Sequence, residues 1–143
     1  MQQLNELQKD LVLKFKFTTP QYGQLRGPLM LVRPRVLGEK SFALEHKPHH
    51  FPFEFESASR ETDVYEIELP ADYKVDDIPD PVKIDASFAS YESKIEVAGS
   101  TVRYSRELVW RDVLINPERT EELRRFEGAI GADEFAAVVL KHQ

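Results

Sequence analysis

The stretch FASYESKIEVAGSTVRYSRELVW does most to restrict what this chain can fold into. From Ala86 to Val97 the odd positions Ala89, Tyr91, Ile95 and Val97 fall on one side of an extended chain. Val102, Tyr104, Leu108 and Trp110 do the same along a second run. Side chains of a strand alternate between faces, so each run is a half-buried β-strand. Gly99, within Ala98-Gly99-Ser100, stands between them and marks a hairpin. Arg106 interrupts the apolar series of the second run. A buried charge must be paired, so its guanidinium has to find a partner, reach an edge or follow a bulge.

Other segments repeat the two-residue period. In DLVLKFKF, Leu11, Leu13, Phe15 and Phe17 alternate with Val12, Lys14 and Lys16, which predicts a strand. Thr18 to Pro28 is a loop by its Pro and Gly content. LMLVRPR is a short apolar strand closed by Pro34, and residues 37–49 form a long connection with one short strand at Ser41–Leu44. Phe51, Phe53 and Phe55 share one face of a further strand, whose Pro52 restricts its pairing. Tyr65, Ile67 and Leu69 oppose Glu66 and Glu68 on a strand ended by Pro70. ADYKVDDIPDPV reads as an extended turn, with Tyr73, Val75, Ile78 and Val82 packing beneath it.

The pattern then turns helical. Asn116-Pro117-Glu118 combines a capping residue, a proline at the first helical position and an acid in the first turn. Leu123, Phe126 and Ile130 form a stripe at helical spacing, and Gly131 is the expected stop. Asp133 caps a second short helix, Glu134–Leu140, or AVVL forms a last edge strand. The fold class that follows is mainly β: an antiparallel β-sandwich or open sheet with one or two C-terminal helices. A chain of 143 residues suits one domain. Residues 1–10 read as a linker or short helix, 11–115 as a β region and 116–143 as a helical segment.

Composition removes several functions. Lys and Arg number 19 against 25 Asp and Glu, a net charge of −6, which argues against a nucleic-acid partner. No cysteine is present, so there is no disulfide, thiolate ligand or thiol nucleophile. No apolar run approaches the ~20 residues that span a bilayer, and MQQLNELQKD carries no signal-peptide pattern. Either the protein is cytosolic or the chain is a piece of something longer.

The one concentration of metal-ligating residues is HKPHHFPFEF, residues 46–55. Pro48 keeps Lys47 extended, which spoils a helical pairing of His46 with His49. Once in a strand, His49 and His50 point to opposite faces. What survives is His50 with Glu54 and a distant third ligand, against the simpler reading of three histidines at the wet end of a strand. The simpler reading is preferred, and no catalytic, cofactor or metal residue is assigned. Glu66 and Glu68 are spaced as solvent-facing acids, not as a glycosidase pair. No G-x-S-x-G, P-loop, G-x-G-x-x-G or H-E-x-x-H occurs. Arg119, Arg124 and Arg125 interleave with Glu118, Glu121, Glu122 and Glu127, as on a solvated helix face.

From TDVYEIELPADYKVDDIPDPV the chain resembles the C-terminal domain of unknown function that follows the transglutaminase-like core of large bacterial multidomain proteins. The likeness runs through GPLMLVRPRVLGEKS, FPFEF, FASYESKIEVAGSTVRYSRELVWRD and EELRRFEGAIGADEFAAVVLK, roughly Leu11 to Lys141. In that family the Cys–His–Asp triad belongs to the core, so no catalytic residue carries over to this cysteine-free chain. The resemblance implies a non-catalytic accessory domain without a cofactor, packing on the core or binding another protein, in a periplasmic or cell-surface setting. The alternative is an independent ligand-binding module for carbohydrate or peptide. A third reading is a small metal-dependent enzyme centred on His50. The stretches Pro48–Phe53 and Tyr73–Pro81 are the expected contact surfaces.

Overall fold

The computed structural model describes residues 10–37 and 50–143. Among them the chain is mainly β, with three antiparallel sheets, one α-helix and no closed barrel. The strands are β1 (Gln24–Arg26), β2 (Leu29–Val32), β3 (Phe53–Glu54), β4 (Ser59–Glu68), β5 (Tyr73–Asp77), β6 (Val82–Ala86), β7 (Ala89–Ala98), β8 (Thr101–Trp110), β9 (Leu114–Ile115) and β10 (Val138–His142). A 3-10 turn at Pro117–Arg119 leads into helix α1 (Thr120–Phe135). One sheet has the order β1-β2-β10-β5, the long sheet β4-β8-β7-β6, and β3 pairs with β9 alone.

The hairpin expected around Gly99 is the spine of the long sheet. β7 and β8 pair in register from Ala89 opposite Trp110 to Ala98 opposite Thr101. That leaves a two-residue turn in which Gly99 takes φ +59°, a conformation that favours glycine. The inner face of the long sheet carries Ala89, Tyr91, Ser93 and Ile95 of β7 and Val102, Tyr104, Arg106, Leu108 and Trp110 of β8. β4 adds Glu61, Asp63, Tyr65 and Ile67 in the same register.

Two apolar clusters cover the two ends of this face. At one end Val102, Ile67 and Ile95 meet Val32, Val138, Leu140, Met30 and Val75 of the shorter four-stranded sheet. At the other end Leu123, Phe126 and Ile130 of α1 pack on Phe88, Ala89, Tyr91 and Ile115. Here Trp110 stacks on Phe55 at 4.6 Å between ring centroids and meets Phe126 edge-on at 5.5 Å. A large side chain fully buried here, such as Phe88 or Phe126, contributes roughly 1.5–3 kcal/mol. Arg111 ties off the β6–β7 turn, donating to the carbonyls of Ala86 and Ser87 and to Asp85.

Several expectations need correction. Residues 11–17 make no strand: among the described residues they show one bridge, at Val12, and their side chains stay exposed. Alternation supplies a strand's pattern, but a strand also needs a ladder partner. The strand at Phe51–Phe55 shrinks to Phe53–Glu54, with Phe51 82% exposed instead of core-facing. The supposed turn at 71–82 contains β5 and the first residue of β6, and Pro79 and Pro81 occupy the crossing from β5 in one sheet to β6 in the other. Tyr73, Val75 and Val82 do pack inward, while Ile78 stays 37% exposed.

Gly131 does not stop the helix. A helical glycine costs only about 1 kcal/mol, and Glu134 beyond it is held by two arginines, so packing outweighs propensity. Asn116 makes no side-chain cap bond, and Thr120 Oγ1 instead donates to the Pro117 carbonyl at 2.7 Å. No second helix forms after Asp133. AVVL enters β10, which is not an edge strand but lies between β2 and β5, so the expected 116–143 helical segment closes with a central strand. The expected linker or short helix at 1–10, all but Asp10, and the strand at Ser41–Leu44 lie outside the described residues.

Candidate functional site

Between the two apolar clusters lies a belt of buried polar side chains. It begins with the residue the sequence left without a partner. Arg106 is 3% exposed and projects from β8 into the inner face. Directly opposite it in the ladder is Asp63, whose Oδ2 lies 2.9 Å from Arg106 Nε. Arg106 Nη2 donates to Glu61 at 3.2 Å, and Nη1 donates to Glu134 Oε1 at 2.9 Å. Arg35, 2% exposed and three residues past β2, donates to the same Glu134 oxygen. It also lies 3.7 Å from Glu61 and 3.8 Å from Asp63.

The two guanidiniums therefore clamp three carboxylates that arrive on two elements, β4 and the last turn of α1. Removing a charge from water costs several kcal/mol, and only near-complete pairing offsets it. This explains why an acid is tolerated at Glu134, which is 2% exposed.

A tyrosine pair continues the belt. Tyr91 and Tyr104 both donate to Asp133 Oδ2, at 2.5 and 3.0 Å, and their hydroxyls are 3.2 Å apart. The Arg106 guanidinium sits 5.7 Å from the centre of the Tyr91 ring, within cation–π range. Burial, reinforced by the Asp133 carboxylate, pushes the Tyr91 hydroxyl up to about 12. Burial, then the bond to Tyr91, raises Tyr104 as well. Both hydroxyls stay protonated at neutral pH and act as donors, not as bases. One helical turn or more away, Glu127 is 5% exposed. Burial, and secondarily the Glu134 charge, raises its carboxyl to about 7.

Most of this belt is sealed from solvent, and it opens outward at Glu61 and Asp63 on the edge strand β4 and in part at Asp133. Its chemistry is therefore cohesive: it fixes the segment after β2, the edge strand β4 and the end of α1 onto one strand, β8.

The residues singled out from the sequence lie elsewhere. His50 and Glu54 are both exposed, and no hydrogen bond or ion pair joins them. His46 and His49 lie outside the described residues. Among the described residues, no group of three or more His, Cys, Asp or Glu is arranged to hold a metal ion. Arg119, in the turn before the helix, pairs with Glu122 and covers the Phe88 ring at 4.7 Å, and Arg124 pairs with Glu121, but the expected solvated face is only partly so, since the Arg124 side chain is 14% exposed and Glu127 is buried. Of the belt's charged residues, sequence reasoning placed Arg106 alone on the inner face, beside Tyr91 and Tyr104. The register could have supplied Asp63 and Glu61, since the inward face of β4 that carries Tyr65 and Ile67 runs back onto them.

The shorter four-stranded sheet holds one further feature. A cleft of about 210 Å³ opens beside its outer face, lined by Tyr22, Gln24, Leu31, Arg33, Phe135 and Ala137. The Arg33 guanidinium covers the Phe135 ring at 5.1 Å, and the Tyr22 hydroxyl donates to the Arg33 carbonyl at 2.8 Å. Among the described residues, no helix is long and apolar enough to cross a membrane.

Among solved structures, the fold is similar to that of a "putative protease" from Parabacteroides distasonis. The TM-score is 0.64 at 15% sequence identity, over 82% of this chain and 24% of that one. The chain thus corresponds to about a quarter of a longer protein, and at this identity the likeness concerns the fold. No curated protein matches the sequence. A family model does match, over residues 29–140, from β2 to the middle of β10 and across the whole belt. The chain belongs to the family of a domain of unknown function with a solved structure, DUF3858.

Proposed function

We propose that this chain is a non-catalytic accessory domain of a transglutaminase-like multidomain protein, packing on its core or binding a partner. The observation that carries the reading is the ribbon at residues 11–17. It has a strand's alternation, yet Leu11 is 60% exposed and Phe15 72% exposed, and its one bridge is at Val12. An exposed apolar segment with a strand's alternation suits contact with another polypeptide. Two further observations are consistent with this role. The fold recurs as about a quarter of a longer protein, and the buried belt serves cohesion.

The test is calorimetric titration of the purified chain into a separately purified transglutaminase-like core. Saturable binding that is lost in a Phe15→Asp variant, with unchanged thermal melting, is the expected result. Absence of binding, or peptide hydrolysis or amine–glutamine crosslinking by the chain alone, overturns it. The second reading is an independent ligand-binding module for peptide or carbohydrate. The cleft between Tyr22, Arg33 and Phe135 favours it, since an aromatic lining with a few polar groups suits a small ligand segment.

A further inference from the structure

The two four-stranded sheets treat their outward-facing cations differently. On the outer face of the long sheet, Arg60 meets Glu107, Lys83 meets Glu92, Lys94 meets Glu96 and Arg103 meets Glu66. That face neutralises itself. On the shorter sheet the register places Arg26 opposite Leu29, Leu29 opposite Lys141, and Lys141 opposite Lys74. Residues opposite one another in a ladder share a face, and the other face holds Met30, Val32, Val138 and Leu140 in the core. Arg26, Lys141 and Lys74 therefore form one transverse row on the outer face, about 4.8 Å from strand to strand. All three are exposed, and none forms an ion pair with any described residue. The neighbouring row runs Gln24, Leu31, Val139 and Asp77, with Leu31 and Val139 half-buried. Asp76 and Asp77 bound the face on the β5 side, and the Asp77 carboxylate accepts the Ile78 N–H at 3.0 Å. The cleft with Arg33 and Phe135 adjoins Leu31 at the opposite end.

Three cations with no ion-pair partner among the described residues, beside an apolar strip in a chain of net charge −6, are a local reversal of the molecule's field. We infer that the outer face of the β1-β2-β10-β5 sheet binds an acidic polypeptide segment. Its carboxylates lie along the Arg26–Lys141–Lys74 row, and its apolar side chains cover Leu31 and Val139 toward the cleft. Charge complementarity selects the partner, and the apolar strip distinguishes a polypeptide from a bare polyanion. The inference names a partner class for the interaction readings above. Its assay contains no transglutaminase-like core, so its failure leaves the accessory reading standing.

The probe is a fluorescein-labelled peptide of alternating glutamate and leucine, titrated with the intact chain and followed by fluorescence anisotropy at low salt. Saturable binding is expected, weakening as ionic strength rises. The combined Arg26→Glu, Lys74→Glu, Lys141→Glu variant should lose at least about tenfold in affinity while melting as the native chain does. A Lys83→Glu, Lys94→Glu variant of the other sheet should stay within about twofold. No saturable binding at about 1 mM protein overturns the inference. So does equal loss in both variants, or equal affinity for polyglutamate or heparin, either of which makes the face a general anion surface. Should the triple variant melt early, the single Lys74→Glu and Lys141→Glu variants carry the same test with smaller losses.

Discussion

Arg103 and Arg106 stand three residues apart on β8 and point to opposite faces of the long sheet. Both are ion-paired with carboxylates of β4. The Arg103 pair with Glu66 spans 3.9 Å, with both side chains more than half exposed. Arg106 is 2% exposed at its side chain and engages Glu61, Asp63 and Glu134 together. The same chemistry on one strand thus produces two different objects. Outside, a cation and an anion that water already solvates add little by meeting. Inside, neither group can be present without the other, because an unpaired charge there costs several kcal/mol. The belt is therefore a set of mutually required residues, and it divides the inner face into two apolar cores.

The largest expected effect comes from breaking that requirement. Arg106→Ala leaves Asp63 and Glu134 facing each other with Arg35 as their common cation. It should destabilise the fold by about 3–5 kcal/mol, read as a lower midpoint in urea denaturation with unchanged slope. A loss below about 1 kcal/mol would mean that water reaches the belt and that inner and outer pairs are alike.

Glu127 sharpens the comparison, because it is a buried acid that the belt does not pair. Its carboxyl ionises near 4.5 in the unfolded chain and near 7 in the fold. Folding therefore takes up a proton between those values, and stability falls as pH rises through that window. Below pH 4.5 Glu127 is neutral in both states and carries no penalty. Above pH 7 the penalty is complete, at about 3 kcal/mol for a shift of this size. Glu127→Gln should thus melt close to the native chain at pH 4.5 and be clearly more stable at pH 8. Parallel pH–stability curves for the two proteins would show that Glu127 is solvated or paired.

How far the sequence revealed this arrangement depended on whether a signal was local. The β7–β8 hairpin was legible because alternation and Gly99 agree within one stretch. Arg106 was legible as an anomaly, a cation on an apolar face that had to pair, reach an edge or follow a bulge. Its partners were less so: Asp63 and Glu61 need the β4–β8 register, and Glu134 needs a helix that continues through Gly131. Arg35 and Glu134 are 99 residues apart, and nothing in the residues between them announces that they meet. The ribbon at 11–17 failed the other way. Its pattern is that of a strand, but the ladder that would make it one is not among the described residues. His50 and Glu54, kept from their spacing only as a minor alternative, are both exposed, His50 ahead of β3 and Glu54 on that two-residue strand.

The smallest expected effect is on the outer face, and it bears on the comparison most directly. Arg103→Ala removes the pair with Glu66 but leaves both positions hydrated. The neighbouring outward charges, Lys94 with Glu96 and Arg60 with Glu107, are unaffected by its loss. An exposed pair of this kind is worth about 0.2–1 kcal/mol, and salt screens it further. The variant should shift the urea midpoint only slightly at low ionic strength and not measurably at about 1 M salt, where the screening length is about 3 Å. The Arg106→Ala deficit should persist there, because its charges are out of reach of dissolved ions. If salt erased both deficits alike, burial would not be what separates the two faces. If it erased only the Arg103 deficit, the two arginines of one strand would measure how much of an ion pair's strength in this fold comes from exclusion of water.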